Sequence, residues 1–124
     1  MSDAAAERLR NIDSCAVSDA LDALGLKGTV KGIGAISAGR RIAGRAQTVK
    51  LGPPNDSVAK RHLCSAAVDA ASEGDVIVIE NLTTEIAAGW GGILSRAAKV
   101  KGLSGTIVDG PARDADEADE IGFP

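Results

Sequence analysis

The chain carries one histidine, two cysteines and two aromatic residues, Trp90 and Phe123, with no tyrosine. Each scarcity removes a class of function. Cys15 and Cys64 lie far apart and in no CxxC, and His62 stands alone, so zinc fingers, disulfide scaffolds and histidine-based metal centres are excluded. A surface that stacks nucleic-acid bases needs several aromatic faces, and two do not make one. The longest apolar run, residues 76–79, falls far short of the ~20 residues of a membrane-spanning helix. The first ten residues alternate small and charged side chains, so no secretory leader is expected. The expected compartment is the cytosol, with neither nucleic acid nor membrane as partner.

What remains has the make-up of a folded domain. With 124 residues, 44% hydrophobic and 25% charged, the chain is long enough for one core and too short for two, so residues 1–124 read as a single domain. Fifteen glycines predict many tight turns or close backbone approaches. Charge is uneven. Lys27, Lys31, Arg40, Arg41, Arg45, Lys50, Lys60 and Arg61 share their stretch with one acid, Asp56, whereas Asp109, Asp114, Asp116, Glu117, Asp119 and Glu120 make the end acidic. Two readings stand: solvated faces that keep the protein dissolved, or a positive surface that draws in an anionic ligand or partner.

Periodicity predicts a helix over 4–12 and a second one capped by Ser14, with Val17, Leu21 and Leu24 on one face and Gly25 in the left-handed position at its end. Residues 27–40 read as loop, and 42–51 as a strand closed by Gly52-Pro53-Pro54. Asp56 or Ser57 caps a helix with the stripe Ala59, Leu63, Ala66, Ala67 and Ala70, ended by Gly74. The uninterrupted run Val76-Ile77-Val78-Ile79 predicts a strand covered on both faces, and Thr106-Ile107-Val108 a second buried strand. Between them lie a loop over 81–92 and a helix carrying Ile93, Leu94, Ala97, Ala98 and Lys101, closed by Gly102. Alternating strands and helices predict an α/β layered fold with at least partly parallel strands. Residues 121–124 read as the approach to a further strand, so the chain reads as a fragment of a longer domain.

Two segments can carry chemistry. Gly89-Trp90-Gly91-Gly92 enters a helix whose first amides lack internal partners and sit at the positive end of its dipole, which suits a carboxylate or phosphate. A tight loop with Trp90 as a core plug explains the same residues. Asp109-Gly110-Pro111-Ala112-Arg113-Asp114 follows a strand, at the end where layered α/β folds bind ligands. Arg113 offers a fork matching a carboxylate, and Asp114 a hard oxygen for Mg²⁺ or a related cation. Together they suit a 2-keto acid. A turn whose Arg and Asp satisfy each other is the competing reading. His62 reads as a helix-flank residue, Cys15 and Cys64 as buried small hydrophobes, and Ser18-Asp19 equally well as residues approaching a site or as a solvated helix face.

The residues 91–102, GGILSRAAKVKG, continued by 105–114, GTIVDGPARD, resemble the signature of the RraA-like family, which includes 4-hydroxy-4-methyl-2-oxoglutarate/4-carboxy-4-hydroxy-2-oxoadipate aldolases and regulators of ribonuclease E. Residues 17–25 and 73–79 are similar to its N-terminal helix and middle strand. The resemblance implies a swivelling β/β/α-type fold, truncated here at its C-terminal end, and assembly as trimers or hexamers with sites between subunits. It implies that Arg113 binds a pyruvyl carboxylate, that the amides of Ile93 and Leu94 beside Gly91 and Gly92 receive the same group, and that Asp114 holds Mg²⁺ or Mn²⁺. Family aldolases commonly have an acid where this chain has Gly92. The regulators tend to lack the Asp of the RD pair, which Asp114 supplies here. The expected function is a metal-dependent lyase on small 2-keto acids, by retro-aldol cleavage or oxaloacetate decarboxylation, with Arg113 and Asp114 catalytic. The alternative is a non-catalytic protein-binding regulator. Asp114→Ala is expected to abolish turnover with little effect on folding.

Overall fold

A computed structural model describes residues 3–37, 40–53, 56, 60–83 and 87–124. The elements run α1 (Ala4–Arg10), α2 (Ser14–Ala23), β1 (Ala46–Leu51), α3 (Leu63–Ala70), β2 (Val76–Asn81), α4 (Gly92–Val100), β3 (Gly105–Asp109) and α5 (Ala115–Glu120). The strands form one parallel sheet in the order β1-β2-β3, in register Val49–Ile79–Val108 across it. Parallel neighbours need a crossover, and α3 and α4 provide the two crossovers. α3 packs on β1 and on α4, and α4 packs on α5. The α/β class is therefore as the alternation of patterns predicts.

Three helices end alike. After α2, α4 and α5, Gly25, Gly102 and Gly122 take φ of 69°, 77° and 68°. In each case the glycine and the next residue donate back into the last turn, as in Leu103 N to Ala98 O at 3.0 Å and Phe123 N to Ala118 O at 2.9 Å. An L side chain is disfavoured at such a φ, which is why glycine closes these helices. Two lysines of the α4 end act as further caps: Lys101 Nζ donates to Val68 O at 2.7 Å and to Asp69 O in α3, and Lys99 Nζ to Ile121 O after α5. Cationic groups at helix C-termini also oppose the dipole there. α4 thus ties its two neighbours together.

The core holds Val49, Cys64, Ala67, Val68, Ile77, Ile79, Trp90, Ala98, Leu103 and Phe123. One sheet face is filled more completely than the other. Ile77 and Ile79 are fully buried against the helices; on the other face Val76 and its neighbour Gly105 are buried, Val78 and Ile107 are half-buried and Thr48 is exposed. The expectation of strands covered on both faces therefore holds at the start of β2 and β3 and weakens along them. Strand β1 begins at Ala46 rather than at 42, because Ile42 leaves the ladder to pack over Gly105. Residues 121–124 run beside β3, where Pro124 O accepts from Thr106 N at 2.9 Å.

The caps differ from those expected. Asp13, not Ser14, caps α2 by accepting from Ala16 N at 2.8 Å. α3 starts later than its stripe suggests, and His62 Nδ1 accepts from Ser65 N at 3.3 Å in place of Asp56 or Ser57. Ser57 and Ala59 lie outside the described residues. α2 buries none of its residues, and Leu24 at its end is 72% exposed. The inward residues of α4 are Gly92, Ser95 and Ala98, while Ile93 and Val100 are 84% and 90% exposed. Half of the basic stretch is engaged within the chain: Arg45 pairs with Asp3, Lys50 with Glu80 and Arg61 with Asp69, and Arg40 Nη1 donates to Gly122 O. These contacts favour the reading of solvated faces.

Candidate active site

The turns that leave β2 and β3 are fastened to each other by a buried asparagine. Asn81 ends β2, and its Nδ2 donates to Ala87 O at 2.8 Å and Pro111 O at 3.1 Å, while its Oδ1 accepts from the Thr83 hydroxyl at 3.0 Å. Buried polar groups must find partners, and Asn81 finds them in both turns. The backbone continues the seam, with Gly89 N donating to Pro111 O at 2.9 Å and Arg113 N to Trp90 O at 3.0 Å. Gly110 is required where the turn crosses Asn81: its φ is 133°, and a Cβ there would overlap Asn81 O.

Trp90 is the core plug that the loop's bland reading predicts. Its ring stacks on Phe123 at 6.4 Å between centroids and 19° between planes, and Nε1 donates to Ser95 Oγ at 2.8 Å. Ser95 Oγ in turn donates to Gly91 O at 3.2 Å. Ring and hydroxyl are buried, so the first turn of α4 is fixed from inside the core.

On its outer side that turn meets Arg113 and Asp114. Asp114 Oδ2 accepts from Gly92 N at 3.0 Å and lies 3.5 Å from Arg113 Nε. Both contacts fall on Oδ2 and leave Oδ1 outside them. The approach is close enough that a Cβ at Gly91 would lie 3.0 Å from Asp114 Oδ2 and 3.2 Å from Arg113 Nε. Asp114 itself has φ 57° and ψ 38°, a left-handed conformation that Asp and Asn tolerate better than most residues. Glu117, one turn into α5, reaches the same place. Its Oε2 would overlap a Cβ on Gly92, and it pairs with Arg96 Nη2 at 3.5 Å.

Of the residues singled out in the sequence, Gly91, Gly92, Arg113 and Asp114 are therefore together. One expectation changes: the Gly92 amide is taken by Asp114, so the first-turn amides without a partner inside the helix are those of Ile93 and Leu94. The Arg113 side chain is 75% exposed and able to meet a solute. Asn81, Ser95 and Glu117 escaped sequence reasoning. A polar residue closing an apolar strand was the available signal for Asn81, and the spacing Asp114-x-x-Glu117 the signal for Glu117. The remaining candidates make their contacts elsewhere. His62 caps α3, Ser18 Oγ pairs with Thr29 Oγ1 at 3.1 Å, Cys15 is exposed rather than buried, and burial pushes the Cys64 thiol above its usual range.

Among the described residues no three His, Cys, Asp or Glu side chains are grouped to hold a metal by themselves. The donor at hand is the hard carboxylate oxygen of Asp114, beside an open surface. Mg²⁺ is commonly bound through one or two carboxylates, with substrate oxygens and waters completing the shell. The site fits a cation of that kind and not a soft, protein-enclosed one.

The RraA-like family model, described as Aldolase/RraA, matches residues 14–124. A Halalkalibacterium halodurans protein named "Putative 4-hydroxy-4-methyl-2-oxoglutarate aldolase" is 32% identical over 121 residues, covering 94% of this chain and 52% of that protein. Protein DlpA of Legionella pneumophila is 31% identical over 118 residues, covering 95% of this chain and 19% of its own length. The chain thus spans about half the length of the first relative and less of the second. Streptomyces coelicolor RraAS2, described as an unusual member of the RNase ES inhibitor RraA protein family, has the same fold at a TM-score of 0.85 and 28% identity, over all of this chain and 63% of that one. The signature at residues 91–114, the parallel sheet that carries it and the match over residues 14–124 agree: the chain belongs to the RraA-like family, in which aldolases and RNase E inhibitors share one fold.

Proposed function

We propose that the protein is a divalent-metal-dependent lyase for small 2-keto acids. One observation carries the reading: Arg113 and Asp114 are held side by side against the first turn of α4, at the C-terminal ends of β2 and β3. The Arg113 fork binds the substrate carboxylate through paired N–H groups, and the amides of Ile93 and Leu94 receive its other edge. Asp114 is anchored through Oδ2 on the Gly92 amide, which fixes where Oδ1 points its charge. Mg²⁺ or Mn²⁺ bound there supplies the polarisation of the keto group and the stabilisation of enolate charge. In oxaloacetate the bond between C3 and the leaving carboxylate breaks, CO₂ departs, the electron pair becomes the pyruvate enolate, and solvent protonates it. Retro-aldol cleavage of a 4-hydroxy-2-keto acid needs a base for the hydroxyl proton as well. Decarboxylation is therefore the less demanding reaction for this site.

The sites of such an enzyme lie between copies of the chain in this reading, as a trimer or hexamer. Ile93 and Val100 support it, since they expose an apolar edge of α4 beside the site. The second reading, a protein-binding regulator, is favoured by Gly92, which contributes no side chain to the site. One assay separates the two. Purified protein with oxaloacetate and Mg²⁺ is expected to release pyruvate above the metal-only rate, and EDTA to stop it. Pyruvate release no faster than with Mg²⁺ alone would leave the regulator.

A further inference from the structure

We infer that Arg96 determines the specificity of this site: its guanidinium takes a second carboxylate on the substrate and selects 2-keto dicarboxylates over 2-keto monocarboxylates. The inference rests on the lyase reading above and asks what besides Arg113 meets a bound keto acid. Arg96 stands on α4 four residues after Gly92, and long side chains on a helix lean towards its N-terminus. Its Nη2 accordingly reaches back to Glu117 Oε2 at 3.5 Å, and that oxygen lies 2.4 Å from the point where a Cβ on Gly92 would stand. Arg113 approaches the neighbouring residue, with Nε 3.2 Å from the corresponding point on Gly91. Two guanidiniums therefore serve one turn, and neither glycine contributes a side chain beside them.

A structural role does not account for Arg96. Its contact with Glu117 is long, both side chains are about half exposed, and such a pair is worth little. The tie between α4 and α5 does not depend on it, because Lys99 Nζ donates to Ile121 O and Phe123 follows α5 into the core. Among the described residues Nη2 is the one nitrogen of Arg96 with a partner, which leaves most of its five N–H groups open to a carboxylate. In oxaloacetate two carbon atoms separate the carboxylates. A substrate seated through one of them on Arg113 and the amides of Ile93 and Leu94 holds the other only a few ångströms away, and Arg96 is the cation on that turn. Pyruvate has no second carboxylate and gains nothing from it.

The second carboxylate of oxaloacetate is also the one that leaves as CO₂. As the bond between C3 and this group breaks, its charge passes into the enolate and the pairing with Arg96 is lost. Arg96 therefore holds the bound substrate more firmly than the transition state, and its removal raises KM without lowering kcat.

The test is oxaloacetate turnover with Mg²⁺, corrected for the metal-only rate, together with its inhibition by pyruvate, on the wild type, Arg96→Gln, Arg96→Lys and Arg113→Lys, each checked for folding by circular dichroism. Arg96→Gln is expected to raise the KM for oxaloacetate roughly five- to twentyfold, between the worth of an exposed ion pair and that of a charge-assisted hydrogen bond. Its kcat is expected to stay equal or rise, and pyruvate to inhibit it as it does the wild type. Arg96→Lys keeps the charge and is expected to fall between the two. Arg113→Lys is expected to weaken both ligands, since both carry the carboxylate it binds. A wild-type KM in Arg96→Gln, or a KM and a pyruvate inhibition constant that rise together, would overturn the role of Arg96 and leave the lyase reading standing. A lowered kcat at unchanged KM would do the same. Absence of Mg²⁺-dependent turnover in the wild type would overturn the lyase reading and this inference with it.

Discussion

Replacing Asp114 by alanine removes structure as well as chemistry, contrary to what its place in the sequence suggests. The residue sits at φ 57°, ψ 38°, where an ordinary L-residue pays roughly 1–2 kcal/mol. Its Oδ2 also satisfies the Gly92 amide at the start of α4 at 3.0 Å, and deleting a helix cap of this kind costs about 1 kcal/mol. The exposed contact with Arg113 adds little. Asp114→Ala is therefore expected to lose about 2–3 kcal/mol in all, whereas Asp114→Asn keeps both the tolerance for left-handed backbone and an acceptor oxygen and loses about 1 kcal/mol or less. Urea unfolding followed by fluorescence measures this directly, because the single tryptophan is buried in the core against Phe123. Both variants are expected to lose Mg²⁺-dependent pyruvate release, so the pair separates the two roles of one carboxylate. Equal urea midpoints for Asp114→Ala and the wild type would refute the account of the cap and of the strained backbone.

Arg113→Lys is expected to lower kcat/KM about tenfold or more, since an ammonium cannot make the two parallel hydrogen bonds of a guanidinium; unchanged kinetics would assign Arg113 to the turn alone. Ser95→Ala strands the buried Trp90 N–H, costing about 1–3 kcal/mol, offset by the better helix propensity of alanine. A urea midpoint equal to wild type would show that the indole finds another partner. The protein is expected to run as a trimer or hexamer in light scattering and to weaken with salt if basic and acidic surfaces meet, as the Debye length falls from about 10 Å at 0.1 M to about 3 Å at 1 M. A monomer mass at low salt would contradict sites built between subunits.

The parts of the fold that were legible in the sequence are those fixed by local chemistry. Gly25 and Gly102 close their helices because few other residues adopt that backbone, and Val76-Ile77-Val78-Ile79 and Thr106-Ile107-Val108 are strands because β-branched runs fit little else. What failed depended on partners distant in sequence. The apolar stripe of α4 is only half the inward face: Leu94 and Ala98 meet the core as the stripe predicts, but Ser95 turns inward to satisfy Trp90 and Ile93 is left outside. α5 was missed because its residues, ADEADE, show no apolar period, and it is held by contacts after its end: Phe123 in the core and Lys99 on Ile121 O. Within the site, Arg113, Asp114 and the paired glycines were legible as a constellation. Asn81 and Glu117 were not, because nothing local says that the first fastens two turns or that the second leaves its own helix.

The site's dependence on the core follows from this arrangement. The Gly91-Gly92 turn is held on its inner side by Trp90 and Ser95 and on its outer side by Asp114, so the backbone that would receive a substrate carboxylate is clamped between a packed aromatic pair and a carboxylate. Such a turn cannot shift to suit a ligand without breaking buried hydrogen bonds, which favours a small, rigid anion over an extended partner. Among the described residues of the site, the side chains that remain adjustable are Arg113, Arg96 and Glu117, all about half exposed or more and all charged. In the lyase reading, selectivity among 2-keto acids would come from these three and from whatever a neighbouring copy of the chain places opposite them, while the carboxylate seat itself would be set by the fold.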